Sequence, residues 1–135
     1  MFVLLDSNVW LAALSHDRIC RRVVESSTAS CTPIVTPFIC AEVRDKLRSK
    51  FQRTEEQANE LVSKLVSVSL LRDDVGDISS PLRDQDDNPI LGAAVAYRCE
   101  FLVTGDDDLL ELKSFSGVAI ISVRAFAERL RLKVD

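Results

Sequence analysis

Acidic residues stand directly after two short apolar segments of the chain. Asp6 follows FVLL (residues 2–5), and Asp106 follows FLVT (residues 101–104) after a single glycine. Continuous apolar runs of this length are typical of strands that are covered on both faces of a sheet. Because ligands bind outside the carboxyl ends of parallel strands, both acids are expected at the binding edge of one sheet. Carboxylates in that position suit metal-assisted hydrolysis.

Two more carboxylates are expected to reach the same edge from helices. Glu42 lies about one and a half turns inside the helix predicted for PFICAEVRDKLRSKF. Asp87 stands immediately before NPILGAAVAYR, whose apolar residues recur at helical spacing, so it is placed at a helix start. Asp84 and Asp86 lie close to it in sequence, and either of them could replace Asp87 in the site.

Four ionised carboxylates in one cleft need a compensating charge. Two charges about 4–5 Å apart at an effective dielectric near 20 repel each other by roughly 3–4 kcal/mol. The predicted turns at the strand ends hold no Lys or Arg beside these acids, apart from Arg83 in the loop before Asp87. An all-oxygen ligand set favours Mg²⁺ or Mn²⁺ over zinc. The constellation therefore predicts hydrolysis assisted by one of these ions.

Each of these acids also has a purely structural interpretation. Residues 106–108 and Asp87 can cap helices, for about 1 kcal/mol per cap plus a few tenths for each acid in the first turn. Glu42 can pair with Lys46 at i+4, which contributes only about 0.2–0.5 kcal/mol. Asp6 is the hardest to explain in this way, because the expected caps of its helix are Ser7 or Asn8. The structural interpretations would all have to hold together.

Apolar segments alternate with amphipathic ones, as in an α/β domain with a parallel sheet. Strands are predicted at FVLL, TPIVTP, FLVT and VAIIS. Helices are predicted at SNVWLAAL, DRICRRVVESS, PFICAEVRDKLRSKF, TEEQANELVSKLVSVSLL with a capping box at Thr54 and Gln57, NPILGAAVAYR, DDDLLEL and VRAFAERLRL. RDDVGDISSPLRDQDD reads as a surface loop. No repeat or linker interrupts residues 1–135, so a single domain is expected.

The charge balance gives the chain no general attraction for polyanions. Its 135 residues are 28% charged, with a net charge of -4, so a nucleic-acid partner requires a local basic patch. The candidates share the helix of Glu42 and are Arg44, Lys46, Arg48 and Lys50. Those cations could steer an RNA backbone towards the acids. Alternatively, they form a solvated helix end whose charges suit the helix dipole.

The cysteines and the N-terminus indicate a reducing, cytoplasmic location. Four cysteines occur without a C-x-x-C pair and beside apolar runs, so they read as buried thiols. The segment MFVLLDSNVW reaches an acid at its sixth residue and resembles neither a signal peptide nor a membrane span. His16, the only histidine, lies in a polar turn and is expected at the surface.

Three motifs in sequence order resemble PIN-domain proteins, in particular the VapC-like toxins of bacterial toxin–antitoxin systems. They are D-S-N-V (residues 6–9), D-N-P-I-L-G-A-A (residues 87–94) and V-T-G-D-x-D-L-L (residues 103–110). Any one of them alone is weak, but together they extend the resemblance over nearly the whole chain. The resemblance implies a three-layer α/β/α domain, with a central parallel sheet flanked by helices, and a ribonuclease that depends on Mg²⁺ or Mn²⁺.

The resemblance also implies roles and partners. Catalytic and metal-binding roles fall on Asp6, Glu42, Asp87 and Asp106, supporting roles on Asn8 and Thr104, and an auxiliary role on Asp108. The implied partners are an RNA substrate, a small antitoxin and a second copy of the chain in a homodimer. Two alternatives stay open: an RNA-processing or DNA-directed PIN nuclease without an antitoxin, and a non-catalytic interaction module that keeps the fold.

Overall fold

Six short strands form one sheet in the computed structural model, which describes residues 1–15, 17–76 and 78–131. The strands are β1 (Phe2–Leu5), β2 (Thr32–Val35), β3 (Leu70–Leu71), β4 (Phe101–Val103), β5 (Ser114–Phe115) and β6 (Val118–Ile121). Their order across the sheet is β3-β2-β1-β4-β6-β5. The pairs are parallel except for β5 with β6, which confirms the predicted parallel sheet.

Helices flank this sheet, as predicted for an α/β fold. They are α1 (Ser7–Leu14), α2 (Arg18–Ser30), α3 (Pro37–Ser49), α4 (Glu55–Ser67), α5 (Asn88–Ala96), α6 (Asp107–Leu112) and α7 (Val123–Arg129), with a short 3₁₀ helix at Gln85–Asp87. The helix α1 packs against α2 and α3, and α3 packs against α4. The capping box predicted at the start of α4 is present, with Thr54 and Gln57 bonded reciprocally.

The central strands β1 and β4 owe their position to uninterrupted apolar sequence. Leu4 and Leu5 of β1 and Leu102 and Val103 of β4 have no exposed surface. Burying one such side chain stabilises a fold by about 1.5–3 kcal/mol. The two strands pair in register, with Leu5 opposite Val103. Their carboxyl ends therefore lie side by side, and the residues that follow them meet at one edge.

Several element boundaries differ from the prediction. Neither Ser7 nor Asn8 caps α1, because the helix begins at Ser7 and Asp6 takes the cap position. The helix predicted to run through Leu71 ends at Ser67, and its last residues form β3 instead. The strand β5 was not predicted. Strands of two residues carry no readable alternation, so pairing with a neighbouring strand decides them. His16 lies outside the described residues.

The loop between β3 and the 3₁₀ helix is more firmly attached than its polar sequence predicted. The Tyr97 hydroxyl donates a hydrogen bond to the Asp73 carbonyl at 2.6 Å, and the Phe38 N–H donates one to Asp74 Oδ1 at 3.0 Å. A Cβ on Gly92 of α5 would lie 3.0 Å from Val75 Cγ2 and 3.2 Å from Ile78 Cγ2. Glycine at position 92 therefore lets this loop pack directly on α5.

The thiols follow the prediction in part. Cys20, Cys40 and Cys99 are buried, whereas Cys31 is only half-buried, and all four are free. Burial raises the pKa of Cys20 and of Cys99 to about 12, so both remain protonated at neutral pH. Within residues 1–15, 17–76 and 78–131, no helix has the length and apolar character that crossing a membrane requires.

Candidate active site

Asp6 is the buried centre of the candidate site. Its N–H donates to the Val103 carbonyl at 2.9 Å and so extends the pairing of β1 with β4 by one residue. Only 4% of Asp6 is exposed. Burial raises the pKa of its carboxyl group above the usual value, and the charges of Glu42 and Asp106 add to that rise. Hydrogen bonds from Thr104 and from the Ser7 N–H oppose it by stabilising the ionised form.

Thr104 links Asp6 to Asp106. It follows β4 with no exposed surface, and its hydroxyl donates a hydrogen bond to Asp6 Oδ2 at 2.7 Å. The same hydroxyl accepts one from the Asp106 N–H at 3.0 Å. The position of Asp106 is thereby tied to Asp6, as the supporting interpretation of Thr104 requires.

Asp106 also acts as a helix cap. Its Oδ1 accepts a hydrogen bond from the Leu109 N–H at 3.0 Å, at the start of α6. The structural interpretation of Asp106 is therefore correct for one of its two carboxylate oxygens. A carboxylate has about four acceptor positions, so a cap bond does not prevent it from binding a cation.

Glu42 reaches the site through a partner that the sequence did not reveal. Its Oε1 accepts a hydrogen bond from the hydroxyl of Ser7 at 2.7 Å. Ser7 is 1% exposed, directly after Asp6, and was predicted only as a possible cap. The i+4 partner Lys46 instead donates to Asn8 Oδ1 at 3.4 Å. The only signal for the Ser7 contact was a small hydroxyl residue beside the first acid.

Asp87 has an unpartnered carboxylate oxygen and a raised pKa. It occupies the cap position of α5 without a side-chain cap bond, and its Oδ2 is buried with no hydrogen-bond partner. Desolvation, followed by the charges of Asp106 and Asp6 and then Asp84 and Glu42, raises its pKa to about 7. The cap interpretation of Asp87 is therefore wrong.

The neighbouring acids of Asp87 are placed differently. Asp84 Oδ1 accepts a hydrogen bond from the Asp86 N–H at 2.9 Å and so begins the 3₁₀ helix. Asp86 itself is exposed. The pKa of Asp87 responds to the charges of Asp106, Asp6 and Glu42. The geometry therefore agrees with Asp87 as the fourth acid.

The remaining residues with predicted roles lie around this group. Asn8 is exposed and contacts Lys46 rather than any of the four acids. Asp108 lies in the first turn of α6 and is not among the groups that shift the pKa of Asp6 or Asp87. Arg44 donates to Asn59 Oδ1 of α4 at 2.8 Å, whereas Arg48 and Lys50 are exposed.

The four acids suit a hydrated divalent ion better than a closed protein cage. The charges of neighbouring acids contribute to the raised pKa of Asp6 and of Asp87, so these carboxylates interact electrostatically. Yet, across the described ranges, no three acidic, histidine or cysteine side chains are grouped closely enough to enclose an ion. Mg²⁺ keeps several waters and often binds through one or two carboxylates, so both observations agree with such a site. The unpartnered Asp87 Oδ2 is an oxygen that a cation or its water would satisfy.

Comparisons with known proteins bear on the fold and the family. The family model described as PIN domain matches residues 2–108, and the search of curated proteins gave no match. The structure is similar to a chain in the crystal structure of VapBC2 from Rickettsia felis bound to a DNA fragment from their promoter. The TM-score is 0.65 at 16% identity, with 90% of this chain and 98% of that chain covered. At this identity the likeness concerns the fold.

Proposed function

The chain belongs to the PIN domain family, whose members are generally nucleases that use divalent metal ions, and on that premise we propose that it is an endoribonuclease dependent on Mg²⁺ or Mn²⁺. One observation carries the proposal. Burial raises the pKa of Asp6, and the charges of Glu42 and Asp106 add to that rise. Desolvation raises the pKa of Asp87, and the charges of Asp106, Asp6 and Glu42 add to it. A domain that gathers four such charges at one edge has a use for a cation there.

The surroundings of each acid indicate its role in binding the ion. Asp6 and Asp106, held together by Thr104, are the principal metal ligands, and Glu42 and Asp87 complete the coordination directly or through water. When bound, the ion lowers the pKa of a water to supply the nucleophile and offsets charge on the phosphate. Ser7 orients Glu42 by its hydrogen bond. Asn8 acts indirectly by holding Lys46 at the rim, and Asp108 is auxiliary.

RNA is the proposed substrate, and the exposed end of α3 the surface that attracts it. Arg48 and Lys50 are exposed there, and Lys46 donates a hydrogen bond to Asn8, two residues after Asp6. Cations that contact phosphates give a binding affinity that falls steeply with salt. Arg44 is less available, because Asn59 already accepts a hydrogen bond from its guanidinium.

We also propose a protein antitoxin as partner and a homodimer as the assembly. The similar chain comes from a complex named VapBC2, which supports an antitoxin at the level of the fold. Val68 at the end of α4 and Leu71 of β3 are 45% and 46% exposed, so each leaves apolar surface that a protein partner could cover. The four thiols suit a reducing compartment such as the cytoplasm.

Cleavage of a mixed single-stranded RNA pool in Mg²⁺ or Mn²⁺ tests the activity. We expect the native chain to cleave, Asp6→Asn to be inactive while still folded, and Asp45→Asn, an exposed acid elsewhere on α3, to be fully active. Cleavage by Asp6→Asn at the native rate would refute the proposed site. Failure of the native chain on RNA, together with cleavage of single-stranded DNA, would move the substrate from RNA to DNA.

A further inference from the structure

A cleft adjoins Glu42 on the side of the 3₁₀ helix. Its volume is about 670 Å³, and its lining includes Phe38, Glu42, Ile78, Gln85, Asp86 and Asn88. That volume lies within the range of about 300–1,000 Å³ that is usual for small-molecule sites. Glu42 belongs both to this cleft and to the proposed metal site, so the two are continuous. None of the roles assigned above uses the rest of the cleft.

We propose that this cleft binds the unpaired base of the nucleotide next to the scissile phosphate, with guanine preferred. The inference rests on the proposed nuclease function and adds a source of sequence preference to it. Single-stranded RNA is commonly read by stacking a base on an aromatic ring and bonding its Watson–Crick edge. The cleft provides one group for each of these contacts, Phe38 for the ring and Asp86 for the edge.

Phe38 is placed one helical turn before Glu42 on the same face of α3. A separation of four residues corresponds to a rise of about 6 Å along a helix. That distance is comparable to the reach from a base to the phosphate of its own nucleotide. A base stacked on Phe38 would thus keep its phosphate close to the ion that Glu42 helps to hold.

The ring of Phe38 belongs to a rigid part of the molecule. Its N–H is bonded to Asp74 Oδ1 at 3.0 Å, and its half-buried side chain packs against the core. Ile78 lines the same cleft from the loop that packs on α5. A ring fixed in this way loses little conformational freedom when a base stacks on it.

The polar groups of the cleft leave one carboxylate for recognition. Asn88 accepts a hydrogen bond from Ser80 and donates one to Gln85 Oε1, and Gln85 Nε2 donates to the Leu82 carbonyl. Both amides are therefore committed to the protein. The exposed Asp86 is fixed through its backbone N–H, which leaves its carboxylate oxygens facing solvent or ligand.

Charge decides between a base and a phosphate as the occupant. Glu42 and Asp86 are acceptors that repel a phosphate and attract N–H donors. Guanine presents two adjacent donors on its Watson–Crick edge, which match the two oxygens of one carboxylate. Uracil offers a single donor flanked by acceptors, so we expect it to bind less well.

Cleavage sites mapped in a random-sequence RNA test the proposal. We expect guanine to be enriched beside the cut made by the native chain. Phe38→Leu should raise KM about tenfold or more with a smaller change in kcat, because base stacking contributes to binding. Asp86→Asn should reduce the guanine preference. The matched controls are Phe2→Leu, at the end of β1 away from Asp6, and Asp45→Asn, at an exposed acid of α3. Both should retain the cleavage pattern of the native chain.

Binding separates this inference from the nuclease proposal. In the Asp6→Asn background, a labelled oligouridine strand with one guanine should bind more tightly than the all-uridine strand, as measured by fluorescence anisotropy. Phe38→Leu should remove that difference. Equal binding of both strands, with a native chain that still cleaves RNA, would overturn the base site but not the nuclease proposal. The same conclusion would follow if Phe38→Leu and Asp86→Asn left the cleavage pattern unchanged. Guanine-dependent binding, together with a native chain that cleaves no RNA, would support the base site and reject the nuclease.

Discussion

Replacing Thr104 by Val should loosen the two acids that the hydroxyl joins. The side chains are nearly the same size, and Thr104 has no exposed surface, so the substitution removes chiefly the two hydrogen bonds. The bond to the Asp6 carboxylate, at 2.7 Å, is of the kind that contributes about 1.5–3 kcal/mol. The bond from the Asp106 N–H, at 3.0 Å, adds about 0.5–1.5 kcal/mol. We therefore expect Thr104→Val to lower the free energy of unfolding by about 2–4 kcal/mol.

Urea unfolding of the metal-free protein measures this loss, and Thr104→Ser is its control. Serine keeps the hydroxyl and removes one buried methyl, which costs about 1 kcal/mol. The Thr104 bond also lowers the pKa of Asp6, so the valine variant should bind Mn²⁺ more weakly than the serine variant. If Thr104→Val is no less stable than Thr104→Ser and binds Mn²⁺ equally well, the hydroxyl does not hold the site together.

Three further predictions test the metal, the charges and the loop. Mn²⁺ at a hundred times its dissociation constant should stabilise the native chain by about 2.7 kcal/mol in thermal unfolding but not Asp6→Asn or Asp106→Asn; an equal shift in all three contradicts the site. Because the folded-state pKa of Asp87 is raised from 3.8 to about 7, its ionisation opposes folding. Metal-free protein should therefore lose stability as the pH rises from about 4 to 7, and a loss equally large in Asp87→Asn would rule out this cause. Gly92→Ala should displace the contacting loop and increase its proteolysis, since the new Cβ would lie 3.0 Å from Val75 Cγ2; Val75→Ala should reverse the effect, and unchanged proteolysis would count against the contact.

The sequence predicted the central part of this fold because burial leaves a readable pattern there. FVLL and FLVT are apolar at every position or nearly so. FVLL forms β1 and the first three residues of FLVT form β4, side by side and parallel. Asp6 directly follows β1, and Asp106 follows β4 after Thr104 and Gly105, so a shared edge was expected from the strand assignment alone.

Features that depend on contacts distant in sequence were not predictable. Ser7 meets Glu42 across 35 positions, and only the packing of α1 on α3 brings them together. The choice among Asp84, Asp86 and Asp87 depends on how the 3₁₀ helix turns, which their similar composition does not encode. The strand β3 has two residues, and its pairing with β2 exists only once β2 is in place.

Helix capping argues that two of these acids serve something other than the fold. Side-chain cap bonds are present at the start of α2, α3, α4, α6 and α7. The other two α-helices of the described ranges, α1 and α5, begin after Asp6 and Asp87, and neither acid makes such a bond. Aspartate is among the best N-cap residues, and a cap contributes about 1 kcal/mol. At both positions this stabilisation is absent, and the pKa of each carboxyl group is raised, so ionising it in the folded protein is unfavourable. Asp87 also leaves a buried oxygen unsatisfied. Local costs that coincide at one edge of an otherwise well-capped domain are typical of a site organised for binding, and the unpartnered oxygen of Asp87 remains available to a cation.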